Sequence, residues 1–216
     1  FLVYIKLPAL PSTDQHQSVT SHNDVNEAAT KIPFIFVGAC VCVFFAMAMM
    51  QQSLGFYFID FYQLSPVDAA QQVGFAMMSS AAASLAIQYT VVQKARMTKE
   101  GMIALSLPIL AIAYCMLFLH ETLYVLYVAM ACMGLGMGMA YPSLAAAATT
   151  YCTPSQQSTI TGLITATPAM GYIFGPPLAA LLYQQNIALP FGIASALLSV
   201  TTCLVFIALK RAAPKH

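Results

Sequence analysis

The sequence predicts an all-α, polytopic membrane protein whose six transmembrane helices form one bundle. Three observations carry this. Of the 216 residues, 60% are hydrophobic and 7% are charged, whereas soluble domains carry about 25% charged residues; this chain cannot cover a water-facing surface. Apolar runs of spanning length recur, and a span needs about 20 such residues. The basic residues, at 6, 31, 94, 96, 99, 210, 211 and 215, all fall on one side of the resulting arrangement, and Asp60, Asp68 and Glu121 mark the other. Positive charge stays cytoplasmic, so the linker, the 94–99 turn and the C-terminus are expected inside. Span count and charge bias agree independently.

The elements follow in order. Residues 1–8, Phe1 to Pro8, are too short for a span and lack the basic start of a signal peptide. They read as the end of a preceding transmembrane helix, and the chain as the rear part of a longer protein. Residues 9–32 turn polar, without helical or strand periodicity, and read as a flexible cytoplasmic linker. Residues 33–209 form the bundle. Its first span runs from Pro33 to about Phe58, with no charge from Ile32 to Ile59. A short loop, Asp60 to Leu64, precedes Ser65-Pro66-Val67-Asp68. There serine caps a helix, proline takes its first position and the acid completes a capping-box-like pattern.

Span two covers about 72–93 and ends in the basic turn of Lys94, Arg96 and Lys99; span three is 101–119, closed by His120-Glu121. From Thr122 to Leu209 there is no charged residue, and two polar interruptions, Thr153-Pro154-Ser155-Gln156 and Gln184-Gln185-Asn186, divide the run. Spans four, five and six are therefore about 123–149, 158–183 and 188–209, and residues 210–216 form a cytoplasmic tail.

Met133 to Pro142 is the most informative stretch. Gly134, Gly138 and Pro142 are four apart, so they share one helical stripe. Glycine there lets a second backbone approach closely, and Pro142 leaves the Gly138 carbonyl without its helical donor. Its Gly-x-Gly-x-Gly string is no nucleotide fingerprint, because its flanks are apolar on both sides and no strand precedes it. Gly171 and Gly175 repeat the spacing in span five, followed by Pro176 and Pro177. Irregular backbone at membrane depth is tolerated only beside protein or a water-filled cavity, so this face is expected to meet another helix or the pathway.

No charged residue falls inside the assigned spans, and all four histidines lie outside the apolar runs. That argues against an intramembrane protease, and no carbonyl filter or charged ring marks a channel. The six cysteines make no Cys-x-x-Cys pair; they read as small buried apolar residues with free thiols, not metal ligands. No cofactor is implied, and no basic patch suggests nucleic acid. The candidates for a substrate cavity are polar but uncharged. Ser80, Ser84 and Gln88 share a face of span two. Gln51 and Gln52 are adjacent on span one, so at most one is expected to face inward well. Tyr141 stands beside the glycine stripe, and Thr165 and Tyr172 lie on span five. Such groups among methionines and aromatics suit an amphipathic or lipophilic ligand. The alternative for each is helix-to-helix hydrogen bonding, worth about 0.6–2 kcal/mol.

Six spans with a basic turn between the second and third, a Gly-rich fourth span ending in Tyr141-Pro142, and Gly171-x-x-x-Gly175-Pro176-Pro177 in the fifth resemble the C-terminal half of a major facilitator superfamily transporter. Gln51-Gln52-Ser-Leu-Gly-Phe-Tyr, the Ser65-Pro-Val-Asp68 start and Gln88 resemble its drug:proton antiporter branch, which contains tetracycline and multidrug exporters. The resemblance implies a twelve-helix protein of two bundles, the N-terminal six-helix half lying upstream. It implies a small-molecule substrate near the midplane and alternating access, with protons as coupling ion, in a lipid bilayer expected to be the bacterial inner (plasma) membrane. The turn from Gln93 to Lys99 keeps the charges of the family's loop motif but lacks its glycines and aspartate. The family's coupling carboxylate and arginine usually lie in the first half, so coupling is assigned to no residue here. The expected function is a proton-coupled exporter of small lipophilic or drug-like molecules. A nutrient or metabolite importer of the same superfamily, or a non-transporting six-helix subunit, stays open as an alternative.

Overall fold

The computed structural model describes residues 23–94 and 97–212, with side chains for 32–94 and 97–210. The segment 1–8, the linker up to residue 22, Arg96 and the tail beyond residue 212 lie outside it. Among the described residues, six α-helices follow one another: α1 (Asn23–Tyr62), α2 (Pro66–Ile87), α3 (Lys99–Leu119), α4 (Leu123–Thr150), α5 (Gln157–Gln185) and α6 (Leu189–Ala212). A π-helical turn, Gln88–Val92, extends α2.

Helix starts follow local chemistry. The Ser65 hydroxyl accepts from the Asp68 N–H at 3.2 Å and donates to the Asp68 carboxylate at 2.7 Å, with Pro66 in the first turn. Thr98 caps α3 by accepting from the Gly101 N–H at 3.1 Å. The turn before α5 is not capped in this way. The Thr153 N–H donates to the Gln156 side chain at 3.2 Å, but α5 starts only at Gln157, without a side-chain cap.

Two boundaries differ from the reading of the sequence. Helix α1 begins at Asn23, so residues 23–32 continue the first span as helix instead of linker. It ends at Tyr62, which puts Asp60 inside the last turn and not in a loop. The chain reverses at Gln63, whose left-handed φ of 53° is stabilised where its side chain donates to the Asp60 carbonyl at 2.6 Å.

Among the described residues, five helices are long and apolar enough to cross a membrane: Ile32–Tyr62 of α1, Pro66–Val92, α3, α4 and Leu189–Lys210. The 29 residues of α5 span about 44 Å at 1.5 Å per residue. Its threonines, glutamines and three prolines make it less apolar than its neighbours, yet it runs unbroken through Pro168, Pro176 and Pro177.

Helices α1 and α4 touch at the centre. Helix α5 lies along α1, α2 along α4, and α3 and α6 pack against each other and against α4 and α1 respectively. Exchanging α1 with α4, α2 with α5 and α3 with α6 reproduces this pairing, apart from a slight α5–α6 contact. That is the pattern of a nested three-plus-three repeat. Charge is segregated by end. Lys94, Lys99, Glu100 and Lys210 stand at one end, and Asp60, Asp68 and Glu121 at the other.

Candidate functional site

Two glycine stripes attach the outlying helices. On α4, a Cβ added at Gly134 would collide with the Ser80 carbonyl, and one at Gly138 would stand 2.6 Å from Ile87 Cγ2 and 3.0 Å from Ser84 Oγ. The stripe of α4 and the serine stripe of α2 therefore face each other. Ser80 and Ser84 are half-buried in this seam, and Gln88 donates to Ser84 at 3.3 Å. Ser80 also borders a small core cavity of about 30 Å³ with Tyr114, Met133 and Met137. Gly136, on another face of α4, meets Leu110 and the Ser106 carbonyl of α3. Helix α4 continues through Pro142, and the buried Ser143 hydroxyl donates to the Met139 carbonyl at 2.6 Å.

On α5, Cβ atoms at Gly171 and Gly175 would stand 2.7 Å from Phe44 and Ala48 of α1. The Gly-x-x-x-Gly face thus meets another helix, one of its two expected partners. This close approach builds a polar seam. Tyr172 donates to Gln51 at 2.7 Å, and Tyr183 donates to the Asp60 carboxylate at 2.7 Å. Between these bonds lies a cavity of about 200 Å³ lined by Gln52, Ser53, Phe56, Ala179, Tyr183 and Gln184. Gln51 and Gln52 both turn to α5, although adjacent side chains were expected to diverge. The long parallel contact lets one bond Tyr172 and the other border the cavity.

The remaining candidates are dispersed. Tyr141 packs edge-on against Phe44, with ring centroids 5.2 Å apart. Thr165 lies two turns from Tyr172 on the same face, exposed, its hydroxyl donating to the Gly162 carbonyl at 2.8 Å. Pro176 is half-buried and Pro177 exposed. At the basic end, Lys94 sits 5.0 Å from the Tyr89 ring centre and Lys99 sits 5.5 Å from that of Tyr151. Tyr151 donates to Glu100 at 3.2 Å and stacks on Phe36, which ties α1, α3 and α4 together. Burial, and then the Glu100 carboxylate, push the Tyr151 phenol above its usual value.

Three groups escaped the sequence reading. Asp60 and Tyr183 pair across the α1–α5 seam; the spacing of Gln52, Phe56 and Asp60, four apart each, was the available signal. Tyr127 of α4 donates to Gln72 of α2. His120, expected outside the helices, is indeed at a helix end but buried there, against Tyr57, Phe61 and Tyr62. The cysteines are all free, but only Cys40 is buried; Cys115 and Cys203 are exposed on helix surfaces that the sequence reading had placed inside.

A family model described as Major Facilitator Superfamily matches residues 95–216. No curated protein matches the chain. Among solved structures, the chain is similar to the POT family transporter PepTSo, with TM-score 0.72 and 19% identity over 86% of this chain and 39% of that one. It is similar to a peptide transporter POT solved in complex with sulfate, with TM-score 0.70 and 15% identity over 88% and 42%. An auto-inhibited POT family peptide transporter gives TM-score 0.69 and 18% identity over 86% and 39%. The chain spans about two fifths of the length of these structures. At this identity they share its fold. They are POT family transporters, so the drug:proton antiporter branch gains no support from them. The matched segment covers more than half of the residues, and the apolar helices complete the picture of an integral membrane protein: the chain belongs to the Major Facilitator Superfamily.

Proposed function

We propose that this chain is the C-terminal six-helix half of an alternating-access transporter, and that the α1–α5 seam meets its small-molecule substrate. One observation carries the reading: the Tyr172–Gln51 hydrogen bond, partly open to solvent and at mid-depth. Tyr172 is one residue from the middle of α5, and Gln51 is four residues past the middle of the Ile32–Tyr62 span, about 6 Å along the helix axis. Transporters of this kind bind substrate near the midplane between repeats. Gln52 and the neighbouring cavity extend the seam. Ser84, Gln88 and Thr165 supply further uncharged polar groups on the outlying helices, so a neutral or cationic solute with an apolar body fits best. An N-terminal six-helix half would supply the opposite wall and the proton-coupling groups. The basic end, with Lys94 and Lys99, is cytoplasmic in this reading, and the membrane a bacterial inner membrane.

The branch-like residues around Gln51 and Gln52 favour export of lipophilic molecules. A second reading reverses the flux: uptake of a peptide-like or other nutrient solute. The likeness to structures described as peptide transporters favours it, because carboxamides and a phenol can bond amide groups as readily as drug-like ones.

The test is transport by the full-length gene product in cells and in liposomes, with a lipophilic dye for efflux and a labelled dipeptide for uptake. Gln51→Ala and Tyr172→Phe should each lower transport at least fivefold at unchanged protein abundance. Unimpaired transport in both variants removes the seam from the substrate path. Efflux of the dye against uptake of the dipeptide decides the direction.

A further inference from the structure

His120 follows α3 directly and is 6% exposed. Its Nδ1 lies 2.7 Å from the Leu117 carbonyl oxygen. A carbonyl only accepts, so Nδ1 carries the hydrogen, and the neutral ring presents Nε2 as a bare acceptor. Nε2 is sealed from solvent and has no partner, and the Tyr62 hydroxyl in the same cluster is in the same condition. Ring centroids of Tyr57, Phe61 and Tyr62 stand 5.2, 5.8 and 6.3 Å from the imidazole. Phe191 of α6 packs edge-on against Tyr57 at 5.3 Å. One cluster thus joins the ends of α1, α3 and α6 at the acidic end of the bundle.

We infer that His120 is a proton-operated latch: neutral, it holds the acidic ends of α1, α3 and α6 together, and protonated, it releases them. The inference rests on the alternating-access reading, which requires one end of the bundle to open. A proton on Nε2 creates a second N–H and a full charge. No acceptor lies within hydrogen-bonding reach of Nε2 where the ring sits, and an unpaired buried charge is costly. The groups that face the ring from α1 are the phenols of Tyr57 and Tyr62. Asp60 on the same turns is engaged by Tyr183 of α5. Glu121, next in the chain, is exposed. Tyr127 of α4, near Tyr62, donates to Gln72, and α6 contributes only the Phe191 ring. No carboxylate is therefore bonded to the imidazolium, and the proton is accommodated only when the cluster opens and Nε2 meets water. Acid then selects the open state.

The sign is consistent. Burial holds His120 below its ordinary value, and the Leu117 carbonyl offsets this in part. A histidine lowered in the closed state stabilises that state above its open-state value, and the contribution is lost as the pH falls. With an open-state value of about 6.5, opening is favoured increasingly as the pH falls below it.

Hydrogen–deuterium exchange of the purified full-length protein in detergent at pH 7.5 and 5.0, corrected for intrinsic amide rates, tests this. Protection of residues 57–62 and 117–123 should fall at least tenfold at pH 5.0, while the α4 core around Ala129–Ala140 stays protected. His120→Gln, which cannot take up the proton, should abolish the pH response whatever its baseline. Tyr62→Phe, which keeps the imidazole, should retain it. Unchanged protection in the native protein overturns the latch even if a variant fails to fold. So does an undiminished response in His120→Gln. Exchange reads conformation without substrate, so a failure here is distinguishable from a failure of the transport assay.

Discussion

At the residue scale, the side chains that matter most are those whose polar atoms find partners on another helix. Tyr172 and Tyr183 each carry an apolar ring and one hydroxyl, and both place that hydroxyl on an α1 acceptor, at 2.7 Å. Aromatic residues with a polar tip suit a seam that is apolar on one side and wet on the other. Ser65 shows a local counterpart, bonding both the N–H and the carboxylate of Asp68. Ser65→Ala should lower stability by about 1 kcal/mol, the usual worth of an N-cap, measured by thermal or denaturant unfolding in detergent. Because the cap holds only the start of α2, transport by the folded fraction should remain.

At the element scale, the glycines divide by what stands opposite. Gly134 faces backbone, which cannot rotate away, whereas Gly162 on α5 has nothing within 4 Å of an added Cβ. Gly134→Ala must push α2 off α4, and overpacking of this kind costs about 1–3 kcal/mol. Gly162→Ala removes only the entropy of a helical glycine and should stabilise by about 0.5–1 kcal/mol. Melting the two variants side by side checks the pair, and equal effects would contradict close packing of α2 on α4. Helix α2 is held mainly along this one stripe and ends in the π-helical turn 88–92. Such turns interrupt regular helix and often mark functional places.

At the scale of the whole molecule, the arrangement is a pair of central helices with an outlying helix docked on each. Helix α5 docks on α1 through Gly171 and Gly175, and α2 docks on α4 through Gly134 and Gly138. Each docking needs few side chains, because lipid tails offer no hydrophobic reason for helices to associate and close backbone packing supplies the contact. The two ends are fastened differently. Lys99, Glu100, Tyr151 and Phe36 close the basic end, and the aromatic box around His120 closes the acidic one. If the basic end is cytoplasmic, as proposed, a tag inserted after Lys94 should be reached by protease only from the inside of sealed vesicles, and one after Glu121 only from the outside. The reverse pattern would overturn the orientation.

Much of this was legible in the sequence. Six helices, their order and the separation of charge between their ends follow from hydropathy, helix length and the distribution of lysine and arginine. These are one-dimensional properties, set by what a residue costs in lipid. Helical periodicity likewise put Ser80, Ser84 and Gln88 on one stripe, and Gly134 and Gly138 on another. It did not say that the two stripes meet, because in a bilayer every face of a helix is apolar and hydrophobicity no longer tells packed from exposed. Ten residues of α1, from Asn23 to Ile32, also escaped, since polar sequence can form helix where the span beyond it provides the nucleus. The pairings of Gln51 with Tyr172 and of Asp60 with Tyr183, and the burial of a histidine placed between two spans, were decided by the tertiary structure alone. Each joins residues far apart in the chain, and only the relative placement of helices brings their polar atoms within reach.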